Sequence, residues 1–405
     1  MSSISRLGRL MRIAVAVIPA TVIVIVSRLV RPIVLVRFGA LKADRIGHFV
    51  LETELMLQEQ EVGIRPRPPR SFDIYYVPTP VSNKQVERMW SRVIRIWPRW
   101  LMVAVFRLNR VWIGSEKHVV PSATSTALDV HCLLDVTQPK LSFSSEEICR
   151  GRELLDQLGI GTSEYVCVIA RDAAYYRTAL PNLDLSYHDY RNCDIDTYVL
   201  GMEMLADKGI YVLRMGAVVE KRLRTSHPRV IDYANSGFRS DFADIFLGAN
   251  CKFCVSDGLG FFAIPAAFRR PNAYVNYSPF HMFYSSRKGD LGISKVFIDQ
   301  KTQEVVPLRN LIGRGVARLT RAELLEESGL TLQANSPDEI AQLMFEMNER
   351  LDGTWVSHDE SETLQKEFWT MFAQVIGPEG MKLHGQFLAR FGETYLRSHH
   401  DWFRE

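Results

Sequence analysis

The chain has 405 residues, 47% hydrophobic and 23% charged, with a formal net charge of +3. That length accommodates two ordinary domains, the composition excludes a disordered chain, and a charge so near neutrality argues against bulk electrostatic binding of nucleic acid. Six cysteines, scattered mostly through apolar runs, fit a reduced compartment better than a disulfide framework, and the single CxxC of Cys251 and Cys254 has no second pair to complete a metal site.

At the N-terminus, Arg6, Arg9 and Arg12 precede fourteen apolar or small residues, Ile13 to Val26, and Arg28 and Arg31 follow. A membrane span needs about 20 apolar residues, and no small-residue cleavage pattern follows. Residues 1–31 are therefore expected to be a membrane-associated segment at the cytoplasmic face of the membrane, either lying on it or anchored in it. The alternative is a buried helix. "RPIVLVRFG" (31–39) is a compact β-branched run ending in glycine, a buried-strand signature. "FVLETELMLQEQ" has helical spacing, and "FDIYYVP" is the next strand. In "ERMWSRVIRIWPRWLMVAVFRLNRVW" (87–112), Arg88, Arg92, Arg95 and Arg99 recur on one helical face among tryptophans, and Pro98 separates two helices. Basic helices carrying tryptophan suit anionic lipid headgroups. "SFSSEEICRGRELLDQLG" has a serine cap, glutamates in its first turn and a closing glycine, so it is a helix.

A second series begins with the strand "YVCVIARD" (165–172). It continues through the helix "DIDTYVLGMEMLADKG", the strands "IYVLRMG" and "VIDY", and the helix "RSDFADIFLGAN". The strand "CKFCVSDG", the helix "GFFAIPAAF" and the strand "NAYVN" complete it, and "LQKEFWTMFAQVIG" and "LHGQFLARFGETYLRSHHDWF" read as terminal helices. Short strands alternating with helices make parallel sheets with right-handed crossovers. The expected fold is α/β, with Rossmann-like domains at 32–160 and 161–405.

Ligands of open parallel sheets bind beyond the carboxyl ends of the strands. One such turn is Ser256-Asp257-Gly258-Leu259-Gly260, where two glycines let backbone N–H groups approach a phosphate at a helix start. Arg171 and Asp172 follow one strand, Arg214 and Gly216 end another, and Arg239 and Ser240 open a helix. Arginines at strand ends neutralise a diphosphate. The polar-aromatic stretch 175–198 is a long loop leaving the first of these strands, and loops of that length are often functional. Its Asp194 and Asp196 match the D-x-D of metal-dependent sugar transferases, but they fall at an expected helix cap, so no metal is assigned.

"RFGALKADRIGHFVLETELML", "CVIARDAAYY…YRNCDIDTY", "YVLRMGAVVEK", "VIDYANSGFRSDFADIFLGANCKF" and "SDGLGFFAIPAAFRRPNAYVN" together resemble a family of bacterial glycosyltransferases from surface-carbohydrate loci. The resemblance covers about residues 32 to 300. More distantly, Arg171 and "SDGLG…FRRP" are similar to the donor halves of protein O-fucosyltransferases and heptosyltransferases. The resemblance implies a GT-B fold, two Rossmann-like domains facing a central cleft, with the nucleotide-sugar on the C-terminal domain, the acceptor on the N-terminal one and no required metal or cofactor. The expected reaction is inverting transfer of a sugar to a cell-surface glycan or lipid-linked acceptor. In that arrangement Arg45, Gly47, Tyr190 and Arg191 are expected on the acceptor side. His48 is the expected base, since imidazole is the side-chain group best suited to exchange protons near neutral pH, with Glu52 one turn along as its partner or replacement. A catalytically silent nucleotide- or carbohydrate-binding partner in a glycan assembly complex is the alternative. A nicotinamide-dependent oxidoreductase is disfavoured because "RFGALKADRIGH" lacks G-x-G-x-x-G.

Overall fold

A computed structural model describes residues 3–122, 128–179 and 186–404. Part of the loop expected to be functional, residues 180–185, lies outside the described residues. The chain divides into two compact units, Met1–Thr126 with Lys140–Ser142, and Ala127–Pro139 with Phe143–Glu405. The fold class is α/β, as expected.

The N-terminal unit opens with α1, Ser3–Leu29. Strands β1 (Leu35–Ala40) and β2 (Ser71–Tyr76) pair in parallel, with Arg37 directly opposite Asp73. Between them a π-helical turn, His48–Glu52, runs into α2, Thr53–Glu61. Helix α3 (Lys84–Val93) starts at Asn83, whose side chain accepts the Val86 N–H, and α4 (Arg99–Arg110) starts after Pro98. The sheet is narrower than a full Rossmann sheet. Among the described residues, only single parallel bridges extend it, Phe38 to Val119 and Tyr75 to Ile96. Each bridge is held by a ladder hydrogen bond of 2.9 Å, from the Trp97 N–H to the Tyr75 carbonyl and from the Val120 N–H to the Phe38 carbonyl. Phe38 and Ile74 form a core with Met102 and Val105 of α4 and with Ala20 and Val24 of α1. The N-terminal apolar segment is thus a helix with one side built into this core.

The C-terminal unit starts with α5, Ser145–Gln157, closed at its N-terminus by a capping box of Ser144 and Glu147. Strand β3 (Tyr165–Ile169) leads to α6 (Ala174–Ala179) and α7 (Val199–Asp207). Strands β4 (Tyr211–Arg214) and β5 (Val230–Ile231) precede α8, Asp241–Asn250. Helix α5 packs on α8: a Cβ at Gly151 would overlap the Phe246 ring, and Phe143 stacks among Phe242, Phe246 and Phe268. Then come β6 (Cys254–Ser256), the short α9 (Ala263–Ala267), β7 (Asn272–Tyr277) and β8 (Leu291–Ser294). Strands β9 (Val296–Asp299) and β10 (Leu330–Gln333) form a separate antiparallel pair around α10, Ala322–Glu327. Helices α11 (Pro337–Asp352) and α12 (Ser361–Met381) lead to an edge strand, β11 (Arg390–Phe391), and to α13 (Glu393–Ser398). The stretch expected to be wholly helical near the C-terminus therefore supplies one strand.

The main sheet runs β11-β8-β7-β6-β3-β4-β5, and every pairing in it is parallel. Counted from β3 as the first strand, the order from β5 to β8 is third, second, first, fourth, fifth, sixth. That is the doubly wound order, and its direction of winding reverses between β3 and β6. All five residues of β3 are buried, which is why that strand reads as an unbroken apolar run. Strand β6 is shorter than its sequence suggests, because Cys251 ends α8 before pairing starts.

Candidate functional site

The carboxyl ends of β3 and β6 lie side by side at the reversal point, and the chain joins them with a hydrogen bond. The Arg171 N–H, just past β3, donates to Asp257 Oδ2 at 2.7 Å, just past β6. The Arg171 carbonyl accepts the Cys193 N–H at 2.9 Å, and Arg171 Nε donates to Asn192 Oδ1 at 3.3 Å. Its backbone is therefore fixed from both sides. Asp257 is 2% exposed. Burial pushes its carboxyl up from the usual range, and the Arg171 N–H and the nearby Arg191 and Arg171 guanidinium groups offset this only in part.

Gly258 makes the turn possible. Its φ is +82°, and a Cβ there would sit 2.5 Å from Tyr277 Cε2. The Gly258 N–H donates to the buried Ser256 Oγ at 3.2 Å, and its carbonyl accepts from Arg191 Nη2 at 3.3 Å. Arg191 Nε is shielded from solvent and has no protein partner among the described residues. Leu259 and Gly260 follow, half-buried, and enter a 3₁₀ turn, Gly260–Phe262, before α9. With only five residues, α9 offers a weaker dipole than the expected longer helix.

The geometry brings Tyr190 and Arg191, expected on the acceptor side, to the Asp257–Gly258 turn of the C-terminal unit. Lys295, between β8 and β9 and 5% exposed, holds this loop by donating to the carbonyls of Tyr190 at 2.8 Å and Asn192 at 3.0 Å. Asn192, Cys193, Tyr277 and Lys295 were not singled out from the sequence. A lone lysine inside the apolar run "LGISKVFI" was the available signal, because a buried ammonium needs a specific set of acceptors.

Other expected residues are engaged elsewhere. Arg214 is 1% exposed and pairs with Asp232 at 3.0 Å. Gly216 packs on Val219 and Ala234. Arg239 binds Asp244 at 2.8 Å and Asp241 at 3.3 Å, and Ser240 caps α8 through the Ala243 N–H. Asp172 Oδ1 accepts the Ala174 N–H and its Oδ2 the Glu220 N–H. Lys221 bridges Asp194 and Asp196, and Asp194 also accepts the Asp196 N–H, so this D-x-D is part of a helix start. Cys251 and Cys254 are buried free thiols.

In the N-terminal unit, His48 Nδ1 lies 2.6 Å from Glu52 Oε1, and Lys42 Nζ lies 2.8 Å from Glu52 Oε2. Burial raises the Glu52 carboxyl, but the hydrogen bonds from His48 and Lys42 outweigh it and hold the group below its ordinary value. An ionised Glu52 fixes the tautomer of His48 with Nδ1 protonated and Nε2 as the accepting atom. Gly47 leads into this turn, and Arg45 is exposed, with Asp44 3.9 Å away. A separate cavity of about 170 Å³ in the same unit is lined by Arg37, Met56, Gln60, Arg65, Pro66 and Pro121. Its Arg37 is already bound by Asp73 in two hydrogen bonds of 2.7 and 2.8 Å.

No family model matches the chain, and no curated protein matches it. Solved structures do. A glycosyl transferase family 9 protein from Veillonella parvula is similar over 64% of this chain and 86% of its own, at 9% identity and a TM-score of 0.40. The E. coli ADP-heptose LPS heptosyltransferase II is similar over 64% of this chain and 90% of its own, at 15% identity and a TM-score of 0.37. An E. coli heptosyltransferase solved with ADP covers the same shares at 15% identity and a TM-score of 0.33.

Proposed function

We propose that this protein is a glycosyltransferase whose nucleotide-sugar binds with its diphosphate at the carboxyl ends of β3 and β6. One observation carries the reading: the doubly wound sheet reverses between these strands, and there the Arg171 backbone N–H and the Arg191 guanidinium both bond to the Asp257–Gly258 turn, which puts two arginines at the reversal point. Open parallel sheets bind ligands at that point, and guanidinium groups match the paired oxygens of a diphosphate. The sequence resemblance supplies the sugar.

In this reading, His48 Nε2 takes the proton of an acceptor hydroxyl, with Glu52 holding the imidazole. The hydroxyl oxygen attacks the anomeric carbon from the face opposite the diphosphate, and the bond to the diphosphate breaks. Configuration is inverted, and the charge that develops on the leaving diphosphate is stabilised by Arg171 and Arg191. These fixed cations make the reaction metal-independent, and engagement of Asp194 and Asp196 by Lys221 agrees with that. The acceptor is a cell-surface glycan or lipid-linked sugar at the cytoplasmic face of the membrane. Calorimetry with a panel of nucleoside diphosphates, followed by transfer and hydrolysis assays with the matching nucleotide-sugars, tests the reading. Binding lost in Arg171→Ala together with turnover supports it. Binding without any turnover would leave a silent binding partner, and the absence of binding would refute it.

A further inference from the structure

Helix α1 has no charged residue from Ile13 to Val26, so it is apolar around its circumference, yet the fold covers one side of it. Ala20, Val24 and Ser27 are buried, and Ala20 and Val24 pack with Met102 and Val105 of α4. On the other side, at steps of three or four residues, stand Val15, Ile18, Val22, Ile25 and Leu29, between 39% and 72% exposed, and Ile33 in the turn after the helix is 71% exposed. The C-terminal ends of the two helices meet where Arg28 Nη2 donates to Asn109 Oδ1. Past that point Val111, Trp112 and Ile113 are 81%, 42% and 97% exposed. Trp100 is exposed at the opposite end of α4.

Charge frames this apolar face. Residues 1–43 and 88–115 contain twelve arginines and no carboxylate, and Arg31, Arg99, Arg107 and Arg110 are exposed. Among the described residues no helix is long and apolar enough to cross a membrane. A bare apolar stripe edged by tryptophan and arginine is the composition of a helix lying in the plane of a headgroup layer. An isologous pairing of two copies through the same face would bring its arginine-rich rims against each other.

We infer that the exposed face of α1, with Trp100 and the Val111–Ile113 stretch, lies in the interface of an anionic lipid bilayer. The α1 axis is parallel to the membrane plane, and α4 sets the depth of insertion. This surface is independent of the chemistry proposed above, and its test involves no sugar. Full-length protein is sedimented with vesicles of mixed phosphatidylglycerol and phosphatidylcholine, and with pure phosphatidylcholine vesicles for comparison. Wild type is expected to bind the anionic vesicles and to release as salt rises. Ile18→Glu with Val22→Glu changes only exposed positions and should abolish binding with the thermal transition unchanged. Arg107→Glu with Arg110→Glu should weaken binding roughly thirtyfold or more at low salt. The inference is overturned if wild type stays in the supernatant or if both double variants bind like wild type. It is also overturned if Ile18→Glu with Val22→Glu instead dissolves a dimer in lipid-free solution.

Discussion

The turn beyond β6 depends on a glycine, and Gly258→Ala measures how much. With φ at +82°, a residue bearing a Cβ is held in the left-handed region, which costs about 1–2 kcal/mol. The added Cβ would also lie 2.5 Å from Tyr277 Cε2, well inside van der Waals contact, so the tyrosine ring must move. It is poorly placed to do so. Its hydroxyl donates to the Met282 carbonyl at 2.6 Å, and its ring packs against Phe283 and Tyr284 at centroid distances of 5.1 and 5.6 Å. Giving up that hydrogen bond adds about 1 kcal/mol, for a total of about 2–3 kcal/mol. Urea unfolding followed by far-UV circular dichroism reads the loss. In a Tyr277→Leu background the ring no longer obstructs, and only the backbone cost of about 1–2 kcal/mol should remain. A loss below about 0.5 kcal/mol, or one unchanged by Tyr277→Leu, would refute the steric reasoning.

Arg171→Ala should weaken nucleoside diphosphate binding at least roughly tenfold by calorimetry, because a charge-assisted hydrogen bond is removed while the backbone bond to Asp257 stays. His48→Ala should lower kcat by roughly 10²–10⁴ with the affinity for the nucleotide-sugar intact; near wild-type transfer would move the base elsewhere. Glu393 is held down to about 2: burial pushes it up, but hydrogen bonds from the His358 N–H, the Trp355 indole and the Ser361 hydroxyl outweigh that. Its folded value lies below the ordinary 4.5, so its stabilisation is complete above about pH 4.5 and disappears as pH falls to about 2. Glu393→Gln should therefore cost more at neutral pH than at pH 2 by urea unfolding, by up to about 3 kcal/mol. A penalty independent of pH would contradict this.

Five of the main sheet's seven strands, β3 to β7, were legible, most clearly where a run is buried on both faces and bounded by turn residues, as in Tyr165–Ile169, whereas β8 and the short edge strand β11 were not. The spatial order of the strands was not legible, since periodicity within a segment carries nothing about which strand lies beside which. The reversal between β3 and β6, which gives Arg171 and Asp257 their shared place, came from the structure. Arg214 and Arg239 looked equivalent to Arg171 in sequence, at or near strand ends, but Asp232 and Asp244 claim them. Asp244 lies only five residues past Arg239 in the same segment, but Asp232 comes from the end of another strand, and no local pattern announces it. Lys295 was overlooked for the same reason: its acceptors are the carbonyls of Tyr190 and Asn192, more than a hundred residues earlier in the chain. The N-terminal helix was legible as apolar, whereas its half-burial depends on α4.

That dependence has a consequence for synthesis. Helix α1 leaves the ribosome before α4, which supplies Met102 and Val105 against it and is completed roughly 80 residues later. At translation rates of about 5–20 residues per second, the interval is about 4–16 s. During it, Ala20 and Val24 have no core to enter, and the emerging helix presents apolar side chains on every side. The nascent chain can therefore meet a bilayer or a chaperone before it meets its own fourth helix. Shortening the chain to remove α1 would not yield a tidier protein, because it would uncover Met102 and Val105 permanently.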